Sequence, residues 1–511
     1  MKLNKTNVPN IPAQTGLEIQ GNDLFHLPEK VLQFGTGVLL RGLPDYFIDK
    51  ANKKGIFNGK IVVVKSTSTG GTDAFDEQDG LYTICIRGIE GETKIEENII
   101  SAAISRVLSA KNEWHQILQC AASPEMAVVI SNTTEVGIAL IPDDITASPP
   151  ESFPGKLLAF LYHRYKAFNG DPTKGMVIVP TELIIDNGTK LRNILLQLAT
   201  QNKLDDDFCK WLIDRNYFCN SLVDRIVPGK LRDDQQKEIE NSLGYTDQLM
   251  IMSEPYRLWA IEAPEQKIAE TLSFSAADAG VVLEKDINVY RELKLRLLNG
   301  AHSFGCGLAH LCGFVTVKEA MDNKYFGTYI ARLMMHEIVP TIAKGNLSHE
   351  LATAFAHKVI DRFRNPHIEH RWLSISAQYS SKMRMRNVPV IAGYYEQNTS
   401  TPTLMALGFA GFLLFMKSQK QNDHYTGNVD GKSYTIHDDN IPLFAEKWNE
   451  TLSVDSVVKE IALDPRLWGT DTIHFPDFIS TVSTMIHLLQ TNGALQTLKS
   501  FVTQGQNDYV E

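Results

Sequence analysis

The sequence predicts an α/β chain in two parts: an N-terminal domain built on a mainly parallel sheet, then a mainly α-helical C-terminal domain. Three observations predict it. Short β-branched runs alternate with amphipathic stretches through the first half, which is the pattern of strands joined by crossover helices. The first of these runs breaks at Gly35 and Gly37 before an apolar helical stretch that begins at Val38. From about Ile287 onward the β-branched runs thin out and helical spacing takes over.

Taken in order, the expected strands are Val31–Phe34, Lys60–Val64, Met126–Ser131 and Met176–Pro180. Their near-continuous Val and Ile content suits strands covered on both faces. The expected helices of the second half include Glu292–Leu311, Tyr325–Glu337 and His349–Arg364. The run Leu404–Met416 is too short to span a bilayer and reads as a buried helix. Gln419–Asn440, rich in Asp, Asn, Gly and Lys, reads as a surface loop or small hairpin. A chain of 511 residues exceeds one hydrophobic core, so two domains are expected, 1–283 and 284–511, with the boundary inside 275–290.

Composition narrows the class. With 43% hydrophobic and 22% charged residues the chain belongs among soluble globular proteins. A net charge of −10 argues against nucleic acid or an anionic membrane as partner, so an anionic substrate would have to meet a local cluster of cations. The six cysteines contain no CxxC pair, and MKLNKTNVPNIPAQ lacks the apolar segment of a signal peptide. Reduced thiols and a cytoplasmic location are the expectation.

The segment KVLQFGTGVLLRG has a strand, a glycine turn and a helix in succession. Such a turn, at Phe34, Gly35, Thr36 and Gly37, lets backbone amides approach a pyrophosphate at a helix N-terminus, as in a Rossmann-type dinucleotide site. Leu40 stands where the common fingerprint has a third glycine, and a plain tight turn would use the same glycines. The second strand runs into Lys65, Ser66, Thr67, Ser68 and Thr69 with no acidic residue for an adenosine ribose. Lys65 suits either the extra phosphate of NADP or a solvated strand end. After MAVVI, Asn132 and Thr133 stand at a strand's carboxyl end, where ligands of open α/β sheets gather. Helix capping by Thr133 or Thr134 is the bland alternative.

The most informative segment is YRELKLRLLNGAHSFGCG. In an α-helix, Lys294, Asn299 and His302 fall within an arc of about 140°, at roughly 100° per residue. Reduction of a ketone needs a proton donor and a group that polarises the carbonyl. A desolvated lysine suits the first role, and amide and imidazole donors the second. Taken singly, a lysine on a helix is usually solvated and an isolated histidine usually structural.

The spacing K-x4-N-x2-H after a dinucleotide turn resembles the mannitol dehydrogenase family of long-chain polyol dehydrogenases. The resemblance runs over nearly the whole chain: FGTGVLLRG, QDGLYT at 78–83, SNTTE at 131–135, NSLVDRIVPG at 220–229, KLRLLNGAH at 294–302 and RFRNPHIEH at 362–370. It implies a metal-independent NAD(H) oxidoreductase with a Rossmann-type domain and a helical domain. Lys294 would be the acid in reduction and the base in oxidation, with Asn299 and His302 on the reacting oxygen. Asp224 would lie near the site, organising the coenzyme or a proton route, unless it merely pairs with Arg225. FGTG through SNTTE, with KMRMR at 382–386, is most similar to members that reduce a keto sugar acid with NADH.

Two departures stand out. Polyol-oxidising members carry CDN where this chain reads TEL, so Leu183 replaces an oxyanion asparagine and Glu182 precedes it. Asn299 then works with less help, or Asn187 or a water substitutes. Arg291 replaces an acidic residue, which makes sense for a carboxylated substrate because a guanidinium binds a carboxylate bidentately. Lys382, Arg384 and Arg386 add a cationic group for the same carboxylate, although arginines spaced by two commonly face solvent. Competing readings are another sugar (fructuronate, mannitol or arabinitol), a coenzyme-binding regulator without catalysis, and a metal-dependent alcohol dehydrogenase. The last would have to use Cys306, His310 and Cys312, or His367 and His370, without HExxH or CxxC. NADP stays open beside NAD, and the chain is expected as a monomer or small homo-oligomer.

Overall fold

The β-branched runs of the first half pair into one six-stranded parallel sheet. This is seen in a computed structural model, which describes residues 1–14, 17–19, 21–66, 71–133, 137–449 and 452–504. Its strands are β1 Glu29–Phe34, β2 Lys60–Lys65, β3 Ile104–Ser109, β4 Val128–Ser131, β5 Val177–Pro180 and β6 Tyr217–Phe218. They lie in the order β3-β2-β1-β4-β5-β6, every neighbouring pair parallel. This is the doubly wound order, and it reverses between β1 and β4, the place where such sheets bind dinucleotides.

Alternation along each strand feeds two cores. Val31, Ile61, Val63, Val128, Ile130, Val177 and Val179 pack into one, while Leu32, Phe34, Val62, Val64, Val129 and Ile178 pack into the other. Side chains of successive strand residues point to opposite faces, so a strand clothed by helices on both sides is largely apolar, Gln33 in β1 being a buried exception. The helices begin where capping chemistry allows. Phe153–Ala167, for example, starts where Ser152 accepts the Gly155 N–H and Pro154 occupies the first turn.

The chain divides into two compact units, Met1–Gly88 with Lys94–Asn288, and Ile89–Thr93 with Val289–Glu511. The first holds the Rossmann-type sheet and the second is mostly helical. Within the second, the 292–311 stretch is helical but not uniformly α: Leu293–Asn299 is a π-helix and Gly300–Leu311 an α-helix. Likewise the 325–337 stretch is α over Lys324–Arg332 and π over Leu333–Ile338. The apolar run forms the buried helix Thr403–Phe415. A Cβ on Gly307 would lie 2.4 Å from the Gly411 carbonyl oxygen, so this helix crosses Gly300–Leu311 at a distance that only glycine permits. Gln419–Ile436 is a three-stranded antiparallel sheet, turned at Asp430 and Gly431, both with positive φ. Among the described residues no helix is long and apolar enough to cross a membrane.

Candidate active site

In the first unit, the carboxyl ends of β1, β4 and β5 form a tied group. Gly35 has φ of +128°, and a Cβ there would meet the Asn132 carbonyl oxygen at 2.9 Å, so β1 can turn against β4 only as glycine. Gly37 has open space where its Cβ would point, and it precedes the helix Val38–Gly42. A strand end, a left-handed glycine and an open glycine before a helix fit the pyrophosphate of a dinucleotide. When such a coenzyme binds, Thr36 and Gly37 would hold it through backbone amides, while the Gly35 N–H is donated to the Val64 carbonyl and Gly35 serves the close turn.

Phe34 does not belong to that contact surface. Its ring is fully buried and meets Phe153 edge-on at 5.1 Å, because its position in the β1 alternation points it into the core. Its backbone oxygen accepts the Asn132 N–H.

Asn132 and Thr133 are anchored from β5. Asn132 Nδ2 donates to Thr181 Oγ1 at 2.9 Å, and Thr181 Oγ1 donates to the Ser131 carbonyl at 2.8 Å. Glu182, 3% exposed, accepts from Ser131 Oγ at 3.1 Å, Thr133 N at 2.9 Å and Thr133 Oγ1 at 3.0 Å. Thr134 and Glu135 of the same motif lie outside the described residues, as do Thr67, Ser68 and Thr69 after β2. Lys65 is a buried residue, not a solvated strand end.

Asn187 is corrected from a substrate contact to a structural tie. It is fully buried, and its amide donates to the carbonyls of Pro180, Glu182 and Ser221 while its oxygen accepts from Gly188 and Ser221 N–H. Both amide protons and the amide oxygen are committed, so nothing remains for a substrate oxygen. Leu183 projects into solvent at 64% exposure.

Asp224 is buried at the end of Ser221–Asp224, which pairs antiparallel with Leu258–Glu262 in a separate sheet. Arg225 donates to the Gly42 and Glu254 carbonyls and lies over the Tyr46 ring. These bonds fasten the VDRI segment to the end of the helix that follows the glycine turn.

In the second unit, the π-helix brings the expected trio onto one side. Its hydrogen bonds run between residues five apart, so Asn299 comes nearly over Lys294 instead of diverging as in an α-helix. Lys294, Asn299 and Arg291 are half-buried, while His302 is 7% exposed. Partners far along the chain hold the junction. Arg296 donates to the Met385 and Arg386 carbonyls, Arg386 to the Asn299 carbonyl at 3.5 Å and Ser303 Oγ at 3.2 Å, and Asn387 to the Gly300 carbonyl at 3.0 Å. Tyr379 bridges the next turn, donating to the Ser303 carbonyl and accepting the Gly307 N–H.

His302 is stacked on Phe363 at 4.0 Å with His370 edge-on at 5.1 Å. Burial drives its pKa well below the ordinary value, and His370, Arg362 and Arg386 push it the same way. It is therefore neutral near pH 7. His302 Nε2 is buried with no hydrogen-bond partner among the described residues. As a neutral ring it carries one N–H and one acceptor nitrogen, so Nε2 can meet a substrate hydroxyl.

The KMRMR cations divide by helix geometry. They lie on Tyr379–Arg386, where Lys382 and Arg386 are one turn apart and Arg384 is on the far side. Lys382 donates to the Ile375 carbonyl, and burial then Arg386 lower its pKa. Arg386 meets neutral oxygens, and no carboxylate among the described residues pairs with it. Arg384 is corrected: it is exposed and lies against Gly469. Sequence reasoning missed Arg362 and His370 as members of the cluster and Glu182 as an anchor. The signals were present, in RFRNPHIEH and in the acid beside Leu183.

The alternative metal ligands are placed otherwise. Cys306 is fully buried and donates to the Trp372 carbonyl, and His310 packs between Phe415 and Tyr434. Among the described residues no group of three or more His, Cys, Asp or Glu is placed to hold a metal ion.

Comparisons with known proteins bear on the family and the fold. Residues 29–273 match the mannitol dehydrogenase Rossmann domain and 286–488 the mannitol dehydrogenase C-terminal domain. Altronate oxidoreductase of Bacillus subtilis (strain 168) is 37% identical over 94% of this chain and 96% of that protein. The altronate oxidoreductase of Halalkalibacterium halodurans is 34% identical over 95% of each. Two solved structures share the fold: Pseudomonas fluorescens mannitol 2-dehydrogenase in ternary complex with NAD and D-mannitol has a TM-score of 0.68 at 23% identity. It matches over 98% of this chain and all of that one. Substrate-free D-sorbitol dehydrogenase has a TM-score of 0.79 at 18% identity, over the same shares. With both domains matched along nearly its whole length, the chain belongs to the mannitol dehydrogenase family of oxidoreductases.

Proposed function

We propose that the chain is an altronate oxidoreductase, reducing tagaturonate to altronate with NADH in hexuronate breakdown and running the reverse reaction with NAD. The observation that carries this reading is the set of cations gathered about His302 in an acidic protein. Arg362 and Arg386 both act on His302, and Lys382 and Arg362 act on His370, which burial and these charges keep neutral near pH 7. Positive charge of this kind complements a carboxylate, and a uronate brings one. The names of the relatives support the same substrate.

When bound, NADH supplies the hydride for the carbonyl carbon. Lys294 gives the carbonyl oxygen a proton from its ammonium group and recovers one from it in oxidation. Asn299 donates its amide to the developing alkoxide. His302 forms a hydrogen bond at Nε2 with a hydroxyl of the sugar and so fixes the substrate's orientation. Arg386, with Lys382 and Arg362, holds the carboxylate, and Arg291 lies one turn before Lys294 to serve the same charge.

The test is NADH oxidation by the purified protein with tagaturonate, fructuronate and fructose, repeated with NADPH. A higher kcat/KM for tagaturonate than for the other two is expected. Preference for fructose would defeat the carboxylate reading, and activity retained by Lys294→Ala would defeat the catalytic one.

A further inference from the structure

Glu182 stands at a position with more consequence than anchoring. The sheet reverses between β1 and β4, and a dinucleotide lies across that reversal with one nucleotide over each half. The glycine turn belongs to β1, in the half completed by β2 and β3. The nicotinamide half is then served by the ends of β4 and β5, which carry Ser131–Thr133 and Thr181–Glu182. Glu182 reaches across these two strand ends with a carboxylate that is almost wholly buried and takes three hydrogen bonds from Ser131 and Thr133. One of those donors is a backbone N–H, which only an acceptor oxygen can satisfy. No lysine, arginine or histidine among the described residues forms an ion pair with it, so its charge is balanced by dipoles alone.

We propose that Glu182 is a positioning residue with an electrostatic role: it fixes the Ser131–Thr133 strand end, and its buried negative charge favours the oxidised nicotinamide over the reduced one. The oxidised ring is cationic and the reduced ring neutral, so a nearby carboxylate in a poorly screened setting stabilises only the first. This rests on the reading of the β4 and β5 ends as the nicotinamide site. It bears on direction: Glu182 tilts the bound coenzyme couple toward NAD, while the cations of the second unit select the substrate.

The experiment measures dissociation constants of NAD and NADH for the full-length protein and for Glu182→Gln and Glu182→Asp, by titration calorimetry and NADH fluorescence, with thermal melting alongside. Glutamine keeps the shape and removes the charge. Its ratio Kd(NAD)/Kd(NADH) is expected to rise about tenfold, ~1.4 kcal/mol. Aspartate keeps the charge and shortens the reach, so its ratio should stay near the wild-type value while its melting temperature falls. A glutamine ratio unchanged, with both coenzymes weakened alike, would overturn the electrostatic role and leave Glu182 an ordinary tie. If the wild-type protein bound neither coenzyme, the reading beneath the proposal would fail as well, and that outcome is distinct from an unchanged ratio.

Discussion

Replacing Arg386 by glutamine separates two things its guanidinium does. In the structure it touches the Asn299 carbonyl at 3.5 Å and Ser303 Oγ at 3.2 Å, both long contacts to neutral oxygens. Burial lowers its pKa, and no acidic side chain is among the causes of that shift. A carboxylate that meets such a group gains a charge-assisted bond of roughly 1.5–3 kcal/mol, and the buried setting favours the upper part of that range. Losing about 2–3 kcal/mol lowers kcat/KM for a uronate roughly 30- to 150-fold. A neutral ketose loses only what the weakened hold on the Asn299 carbonyl costs, about 0.5–1 kcal/mol, or no more than roughly fivefold. The assay is NADH oxidation with tagaturonate and with fructose, on wild type and variant. An equal fall for both substrates would refute the reasoning, because it would mean that Arg386 serves only to hold the catalytic helix.

Three further outcomes follow from the same geometry. Arg384→Gln should leave the uronate KM within about twofold of wild type, since that side chain faces Gly469; a large rise in KM would return it to the site. Asn187→Ala strands buried groups of Pro180, Glu182 and Ser221 and should cost about 2–5 kcal/mol of stability, read as a lowered urea midpoint, with uronate KM preserved. Glu337 is buried, its carboxyl raised from 4.5 to about 7 by desolvation against the opposing Leu404 and Met405 N–H groups. A raised folded-state pKa gives stability that is fully present below 4.5 and is lost as pH rises through 7, about 3 kcal/mol in all. Melting curves from pH 5 to 8 should therefore fall more steeply for wild type than for Glu337→Gln, and parallel curves would count against the assignment.

Four of the six strands were legible because their cause is local. A strand buried on both faces is largely apolar, and Val31–Phe34, Lys60–Val64, Met126–Ser131 and Met176–Pro180 lie within two residues of the observed strands, whereas Ile104–Ser109 and Tyr217–Phe218 were not read as strands. The trio Lys294, Asn299 and His302 was legible as a pattern but not as a geometry. Nothing in KLRLLNGAH forbids an ordinary α-helix, and the π-turn is held by Arg296, Arg386 and Asn387 bonds that span 87 to 90 residues. Asn187 misled for the same reason: its partner Ser221 is 34 residues away, so an asparagine after a loop looked available when it was saturated. Arg384 failed differently. Once KMRMR is placed on a helix, residues two apart must point to different sides, and Arg384 separates from Lys382 and Arg386 on that ground alone.

The π-helix at Leu293–Asn299 has a consequence for how this segment changes over generations. A π-turn is an α-helix carrying a surplus residue. Deleting one residue between Lys294 and Asn299 would let the segment relax to α and still leave Lys294 on the His302 side, since seven α steps turn roughly 700° and end about 20° from whole turns. Relaxing to α at full length would take eight steps and leave the two about 80° apart. The reaction chemistry is thus tied to the surplus residue being absorbed as a π-turn, so lineages that keep the activity should either keep the long-range bonds that hold the turn or lose the residue and the turn together.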